Sequence, residues 1–279
     1  MYRVCLINPP GYKHSSCFLE LAVLLKSSFV SLGIPCDITV NEPSIDSINI
    51  ILGGHLIQNI SALKSFRYIP YQLEQLNAIQ GFYTQNFHDY LSCAVTVWDY
   101  SHQNISFLDS KGIKARYVPI GYHRNLEQIS QDHEKEYDVL FYGSTGPRRN
   151  TILQKLIEEG VKVKTLFGVY GPERDREIAK SKIIINIHQY DTKIFETVRI
   201  SYLLNNSCFA VSENSPLNPY SGLDIPLVPY EELVQTCSMY LQKVIAREKI
   251  RLRCYRQFRE KYDMTEILRK ALQNNTPTD

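Results

Sequence analysis

Residues 183–213 read Ile-Ile-Ile-Asn-Ile-His-Gln-Tyr-Asp-Thr-Lys-Ile-Phe-Glu-Thr-Val-Arg-Ile-Ser-Tyr-Leu-Leu-Asn-Asn-Ser-Cys-Phe-Ala-Val-Ser-Glu. Ile183 to Ile187 is short, β-branched and almost wholly apolar, as a strand buried on both faces of a parallel sheet should be. Asp191 and Thr192 are placed to cap a helix, and Ile194, Phe195, Val198, Tyr202 and Leu203 form an apolar stripe at helical spacing. Asn205 and Asn206 suit a helix stop, after which Cys208 to Val211 is strand-like again. The stretch predicts one strand, one helix and a second strand, the repeating unit of an α/β fold.

Its polar residues fall where such folds do chemistry. His188 comes just past the carboxyl end of the first strand, and Lys193, Glu196 and Arg199 occupy the start of the predicted helix. All four then point toward the crevice where open parallel sheets bind ligands. A helix N-terminus adds unpaired N–H groups that favour an anion.

Upstream, the same pattern recurs. Tyr2 to Ile7 is a buried-type strand running into Asn8-Pro9-Pro10-Gly11, a turn. Ser15 and Ser16 are candidate caps for a helix over 17–32 that closes at Gly33, and Cys36 to Val40 is the next strand. Gly11 is the single glycine of that first loop, so the Gly-x-Gly-x-x-Gly fingerprint is missing, which argues against NAD or FAD there. Further strands are expected at Ile48 to Leu52, Arg67 to Tyr71, Ala94 to Trp98 and Ala115 to Ile120, with helices at Thr84 to Leu91 and Ser101 to Ser110. These strands lead into Gly53-Gly54-His55, Glu74, Asp99 and Gly121-Tyr122. In a parallel sheet such ends share one rim.

The polar, aperiodic run Asn125 to Tyr137 reads as a linker. A second α/β unit follows it. Asp138 to Tyr142 is a strand, and Gly143-Ser144-Thr145-Gly146-Pro147-Arg148-Arg149-Asn150 is a glycine-containing turn entering a helix that stops at Gly160. Val161 to Phe167 is a strand, Gly168 to Pro172 a loop with Tyr170 and Gly171 in it, and Glu173 to Lys180 a short helix. Beyond Glu213 come an irregular loop to Gly222, a last strand at Ile225 to Pro229, and helix from Glu231 to about Leu272 in two pieces with a break near Tyr262-Asp263. Residues 274–279 are expected to fray. The expected domains are 1–130, 131–229 and a helical 230–279 that packs back onto the first.

A chain of 279 residues is long for one core and comfortable for two. Formal charge is +2, too weak to hold nucleic acid by charge alone, which argues against DNA as a partner. The seven cysteines are scattered with no Cys-x-x-Cys pair and read as reduced core thiols. No apolar run reaches the roughly 18 residues of a membrane span, and Met1 leads straight into a strand, so a cytoplasmic location is expected. The basic residues of the last helices (Lys243, Arg247, Lys249, Arg251, Arg253, Arg256, Arg259, Lys261) read as a solvated face, or as a peripheral contact with a membrane.

With His188 and Glu196 eight positions apart and followed by a helix and a strand, the central stretch resembles the donor-binding segment of GT-B glycosyltransferases, the group that includes glycosyltransferase family 4 (glycosyl transferases group 1). The signature there is two glutamates eight positions apart. Glu196 fits the second, which the resemblance implies would hydrogen-bond the nucleotide ribose. His188 stands where the family has the glutamate that contacts the donor sugar. The Gly143 to Arg149 turn is similar to the family's glycine loop with its nearby basic residue. By that likeness Gly143, Ser144, Arg148 and Arg149 would hold the donor diphosphate, Tyr170 and Gly171 would lie by the nucleobase, and Lys193 and Arg199 would meet the sugar or phosphates.

The implied fold is α/β, GT-B, with two Rossmann-like domains whose parallel sheets face each other across a cleft. The implied reaction transfers a sugar from a UDP- or GDP-linked donor to the hydroxyl of a glycan, a lipid-linked or another acceptor. No Asp-x-Asp pair occurs, in keeping with a metal-independent reaction, and no further cofactor is expected. Gly11, Tyr12, His55, Glu74, Asp99 and Tyr122 would form the acceptor side. Besides His188 and Glu196, His55 and Asp99 are the catalytic candidates, and the sequence does not choose a base among His55, Glu74 and Asp99. Family 4 implies retention, but His188 in place of glutamate leaves the stereochemistry open. The alternatives are donor binding without turnover, a sugar-nucleotide epimerase on the same fold, and transfer to modified DNA.

Overall fold

The computed structural model describes residues 1–76, 82–131 and 134–273. It divides into two compact units, one formed by Met1–Asn125 with the chain from Tyr262 onward, the other by Leu126–Lys261.

In the first unit, β1 (Tyr2–Leu6), α1 (Leu19–Ser31), β2 (Cys36–Val40), β3 (Ile48–Leu52), β4 (Arg67–Gln72), α2 (Gln85–Ser92), β5 (Val97–Asp99), α3 (His102–Ser110) and β6 (Ala115–Tyr117) follow in order. The strands form one parallel sheet in the order β2-β1-β3-β4-β5-β6. β2 and β3 occupy the residues expected of them. Thr84 and Ser101 cap α2 and α3, their hydroxyls accepting from Phe87 N and Asn104 N. Ser15 and Ser16 do not cap α1: a 3₁₀ turn at His14–Phe18 precedes that helix, and Ser15 Oγ donates to the Ile7 carbonyl instead. The core centres on Cys5, Ile51, Tyr68, Phe87, Tyr90 and Leu108.

The second unit runs through β7 (Tyr137–Tyr142), α4 (Pro147–Glu158), β8 (Val163–Leu166), α5 (Gly171–Ala179), β9 (Ser181–Asn186), α6 (Thr197–Asn205), β10 (Ala210–Glu213), β11 (Leu227–Val228), α7 (Leu233–Gln242) and α8 (Val244–Lys261). Its parallel sheet has the order β11-β10-β9-β7-β8. Ile183, Ile185 and Ile187 alternate onto one face with Val139, Phe141, Leu156 and Val211. Each such buried side chain contributes about 1.5–3 kcal/mol.

Other expectations needed correction as well. α6 begins at Thr197 with Glu196 at its N-cap, not after Asp191 or Thr192, because Lys193 is in a left-handed conformation (φ +47°) and Ile194 and Phe195 turn into the core. The terminal helices come in three pieces, α7, α8 and α9 (Met264–Gln273), with an extra break where Lys243 takes ψ 60°. α7 and α8 belong to the second unit and α9 to the first.

The polar run after Asn125 is no loose tether either. Gln128 N and Ile129 N both donate to Asn206 Oδ1, at 2.7 and 2.9 Å, and Gln131 Nε2 donates to the Asn206 carbonyl at 2.9 Å. Asp132 and His133 of that run, and the tail expected to fray from Asn274, lie outside the described residues. All seven cysteines are free, five of them buried, while Cys93 is exposed. Among the described residues no helix is long and apolar enough to cross a membrane.

Candidate functional site

The second sheet reverses its winding between β7 and β9, because the chain leaves β7 toward β8 on one side and leaves β9 toward β10 on the other. Ligands of open α/β sheets bind at the carboxyl ends of the strands at this switch point. Here those ends are Tyr142-Gly143 and Asn186-Ile187-His188. Gly143 takes φ +131°, a backbone conformation that favours glycine, and a Cβ there would lie 2.8 Å from Arg199 Nη2 and displace that guanidinium. Pro147 then starts α4, whose N-cap Gly146 supplies no capping side chain. The first N–H groups of the helix are therefore left for water or a ligand.

Arg148 and Arg149 leave the first turn of α4 in different directions. Arg148 donates from Nη1 to Glu213 Oε2 at 2.6 Å and to the His188 carbonyl at 3.1 Å, while its Nη2 bonds Glu213 Oε1. Its guanidinium also lies 4.1 Å from the centre of the Tyr230 ring. Arg149 is buried, donating to the Ile187 carbonyl (2.8 Å), the Ser144 carbonyl (2.8 Å) and Glu196 Oε1 (3.1 Å). Burial pushes its pKa down to about 10, so it stays charged at pH 7. Thus Arg149 ties the glycine loop, the end of β9 and Glu196 together.

Glu213, at the end of β10, has a wholly buried side chain. Besides Arg148 it accepts from the His188 backbone N–H at 3.1 Å and lies 3.7 Å from Lys193 Nζ. Burial alone works to raise its pKa, but the Arg148 and His188 hydrogen bonds outweigh it and hold the carboxyl below its ordinary value. Glu196 also lies 3.6 Å from Arg199, which bonds Asn186 Oδ1. Four cations (Arg148, Arg149, Lys193, Arg199) thus meet two carboxylates (Glu196, Glu213), an excess of two positive charges among those six groups.

His188 is fully buried. Its Nε2 lies 3.1 Å from the Asn214 carbonyl oxygen and 2.9 Å from Ser215 Oγ. A carbonyl only accepts, so Nε2 carries the proton and Nδ1 is the bare acceptor. Burial lowers the His188 pKa, keeping the ring neutral at pH 7. Among the described residues His188 Nδ1, Gln189 Oε1 and Arg199 Nε are buried without a hydrogen-bond partner. Such orphans collected around one loop mark a place where polar partners are expected.

Tyr170 is the N-cap of α5 and Gly171 its first residue, at φ +58°. In the first unit the switch point falls between β1 and β3. Gly11 (φ +76°) and the partly exposed Tyr12 follow β1, and His55 sits in a 3₁₀ turn after β3. His55 Nε2 lies 3.7 Å from Glu74 Oε1, so the structure brings these two candidates together. Burial lowers the His55 pKa to about 4, so at pH 7 the imidazole is neutral and the pair is not an ion pair. Asp99 serves the turn behind it: Oδ1 accepts from Ser101 N at 2.7 Å and Asn104 Nδ2 at 3.2 Å, and burial raises its pKa above its ordinary value. Tyr122 is buried, and its backbone pairs with Tyr262 and Met264.

Sequence reasoning missed Glu213, Asn186 and Tyr230. The signal available for Glu213 was an ionisable residue closing an apolar strand, which in a parallel sheet stands on the ligand-binding rim.

No family model matches the chain. A search of curated proteins found the uncharacterized protein L140 of Acanthamoeba polyphaga mimivirus, 31% identical over 191 residues, which make up 65% of this chain and 61% of that protein. The chain thus spans less than two thirds of that relative's length. Among solved structures, HepE of Anabaena, crystallised with UDP and glucose, matches with a TM-score of 0.63 at 10% identity, over 97% of this chain and 98% of that one. AviGT4, a glycosyltransferase involved in avilamycin A biosynthesis, matches with a TM-score of 0.59 at 11% identity, over 99% and 97% of the two chains. The fold is therefore GT-B, with two Rossmann-like α/β domains built on parallel sheets.

Proposed function

We propose that this chain is a glycosyltransferase that moves a sugar from a nucleoside diphosphate sugar, UDP- or GDP-linked, to an acceptor hydroxyl. The observation that carries the reading is the cationic cluster at the switch point of the second sheet, set against the uncapped start of α4. In this reading Lys193, Arg199 and the α4 N–H groups face the diphosphate, so that negative charge developing on the leaving group meets fixed donors without a metal ion. Arg148, engaged by Glu213 and the His188 carbonyl, acts mainly by holding the ends of β9 and β10 together, and Arg149 by holding Ser144 and Glu196 in place. Glu196 faces the ribose hydroxyls. The bare Nδ1 of neutral His188 is an acceptor for a sugar hydroxyl. Tyr170 and Gly171 border the nucleobase.

On the acceptor side, His55 beside Glu74 is the proton-accepting pair. Asp99, fully buried with its Oδ1 spent on Ser101 N and Asn104 Nδ2, braces the turn after β5 instead of facing an acceptor. A glycan or lipid-linked acceptor fits the chemistry equally.

Melting temperature with millimolar UDP, GDP, ADP, CDP and dTDP tests the donor site. A nucleotide at ~100 times its dissociation constant stabilises by about 2.7 kcal/mol, a shift of roughly 5 °C for a protein this size. UDP or GDP should give that shift and Glu196→Ala should lose it. No shift with any nucleotide would sink the reading. Donor binding without turnover is the second reading, favoured by the burial of His188 where a carboxylate is expected. Nucleotide binding with no release of sugar from any UDP- or GDP-sugar would select it.

A further inference from the structure

The outer face of α8 goes beyond the donor site. Arg247, Cys254 and Phe258 are the buried stripe of this helix. At 100° per residue the opposite face carries Ile245, Lys249, Leu252 and Arg256, flanked by Arg253 and Arg259. Ile245 is 72% exposed and Leu252 39%, aliphatic side chains standing in water among cations.

The basic residues of the helix sort into two groups. The inner ones have protein partners: Arg247 Nη1 donates to the Tyr240 carbonyl at 3.0 Å, and Arg251 donates to Ser207 Oγ and to Glu248. On the outer face Arg253 pairs with Asp224, but neither Lys249 nor Arg256 has an ion-pair partner among the described residues. Glu248 is occupied by Arg247 and Arg251, which leaves Glu260 as the outward acid of the helix.

We propose that this face docks the protein on an anionic lipid surface. The unpaired Lys249 and Arg256 meet headgroup phosphates while Ile245 and Leu252 enter the boundary between headgroups and acyl chains. The aliphatic pair decides between lipid and nucleic acid. Ile245 and Leu252 gain nothing on a hydrated phosphodiester backbone, whereas a bilayer buries them.

Sedimentation of the full chain with vesicles tests the proposal. Vesicles of equal parts phosphatidylglycerol and phosphatidylcholine should carry the protein down at low ionic strength, and pure phosphatidylcholine should not. Each lost cation should weaken partitioning about fivefold. The double variant Lys249→Glu, Arg256→Glu should therefore drop binding at least about 25-fold, whereas Lys26→Glu with Lys155→Glu, the same change of net charge elsewhere, should not. Ile245→Ser with Leu252→Ser should remove the binding that survives about 1 M salt, where charges are screened beyond ~3 Å. All these positions are exposed, and an unchanged melting temperature verifies folding. Absence of binding to anionic vesicles, equal loss in the control variant, or tighter binding to polyuridylic acid that ignores Ile245 and Leu252 would each overturn it.

Discussion

Arg148 and Glu213 lie side by side, both terminal nitrogens of the guanidinium on both oxygens of a carboxylate that has no exposure to water. Removing one member leaves the other charge stranded. Arg148→Met should cost roughly 3 kcal/mol, the lower part of the range for a broken buried pair, because Arg148 keeps 26% of its side chain in solvent. The double variant Arg148→Met, Glu213→Leu should recover part of that loss. Equilibrium denaturation in urea measures both, and equal losses in the single and double variants would mean the pair is not what holds β10 to α4.

Two glycines with positive φ should respond differently. At Gly143 the backbone (φ +131°) favours glycine and a Cβ would meet Arg199 Nη2 at 2.8 Å. Gly143→Ala should cost on the order of 3 kcal/mol and abolish the nucleotide-dependent rise in melting temperature. At Gly11 (φ +76°) nothing lies within 4 Å of the added carbon. Gly11→Ala should cost only about 1–2 kcal/mol of backbone strain. A milder effect at Gly143 than at Gly11 would refute the packing of Arg199 against the loop.

His55 makes stability depend on pH in a definite window. Its pKa is about 4 in the fold against an ordinary 6.5, with burial as the cause. Between those values the unfolded chain binds a proton that the folded one refuses. Stability therefore falls as pH drops from about 6.5 toward 4, with a slope of up to about 1.4 kcal/mol per pH unit. His55→Gln should flatten that part of the melting temperature profile. A profile unchanged by the substitution would show that His55 titrates in the folded protein as it does in water.

Tyr90 crowds Gly54. A Cβ on Gly54 would lie 2.5 Å from Tyr90 Cζ, and the Tyr90 ring is stacked on Tyr68 with centroids 5.4 Å apart. The neighbour is a fixed ring, not a flexible end, so Gly54→Ala should cost about 3 kcal/mol. Tyr90→Phe should be neutral or stabilising, because it removes a buried hydroxyl with no hydrogen-bond partner among the described residues. It should not rescue Gly54→Ala, since the ring carbon remains. Rescue in thermal melts would show that the hydroxyl alone makes the conflict.

The α/β alternation was legible because buried strands advertise themselves: β2 and β3 are apolar, β-branched runs ended by turn residues. Gly143 and the arginines after it were legible as a loop entering a helix. What Arg149 does was not, since an arginine in a first helical turn has the same composition whether it is solvated or, as here, surrounded by the Ile187 and Ser144 carbonyls and Glu196. The late start of α6 depends on the left-handed Lys193 and on Phe195 packing against Tyr220, contacts that helical periodicity does not encode. The polar run near Gln128 resembles a tether in composition, and only Asn206, far along the chain, turns it into a fixed strap. Glu213 needed Arg148, 65 positions earlier, before its role was visible.

Helix α9 is built from residues 264–273 yet belongs with the first 125. It is stitched there by Tyr122, whose N–H donates to the Tyr262 carbonyl and whose carbonyl accepts from Met264 N, and by Arg116 on the Ala271 carbonyl. Gly121 permits this approach, since a Cβ there would collide with the Tyr262 carbonyl. A ribosome delivers the chain in order, so the second unit is fully synthesised before the first has received its closing helix. The amino-terminal half must wait, with the α9-binding surface of α1 bare, for residues made more than 130 positions later. A premature stop just after Lys261, which removes α9 whole, would therefore damage the half of the protein made first and leave residues 126–261 complete.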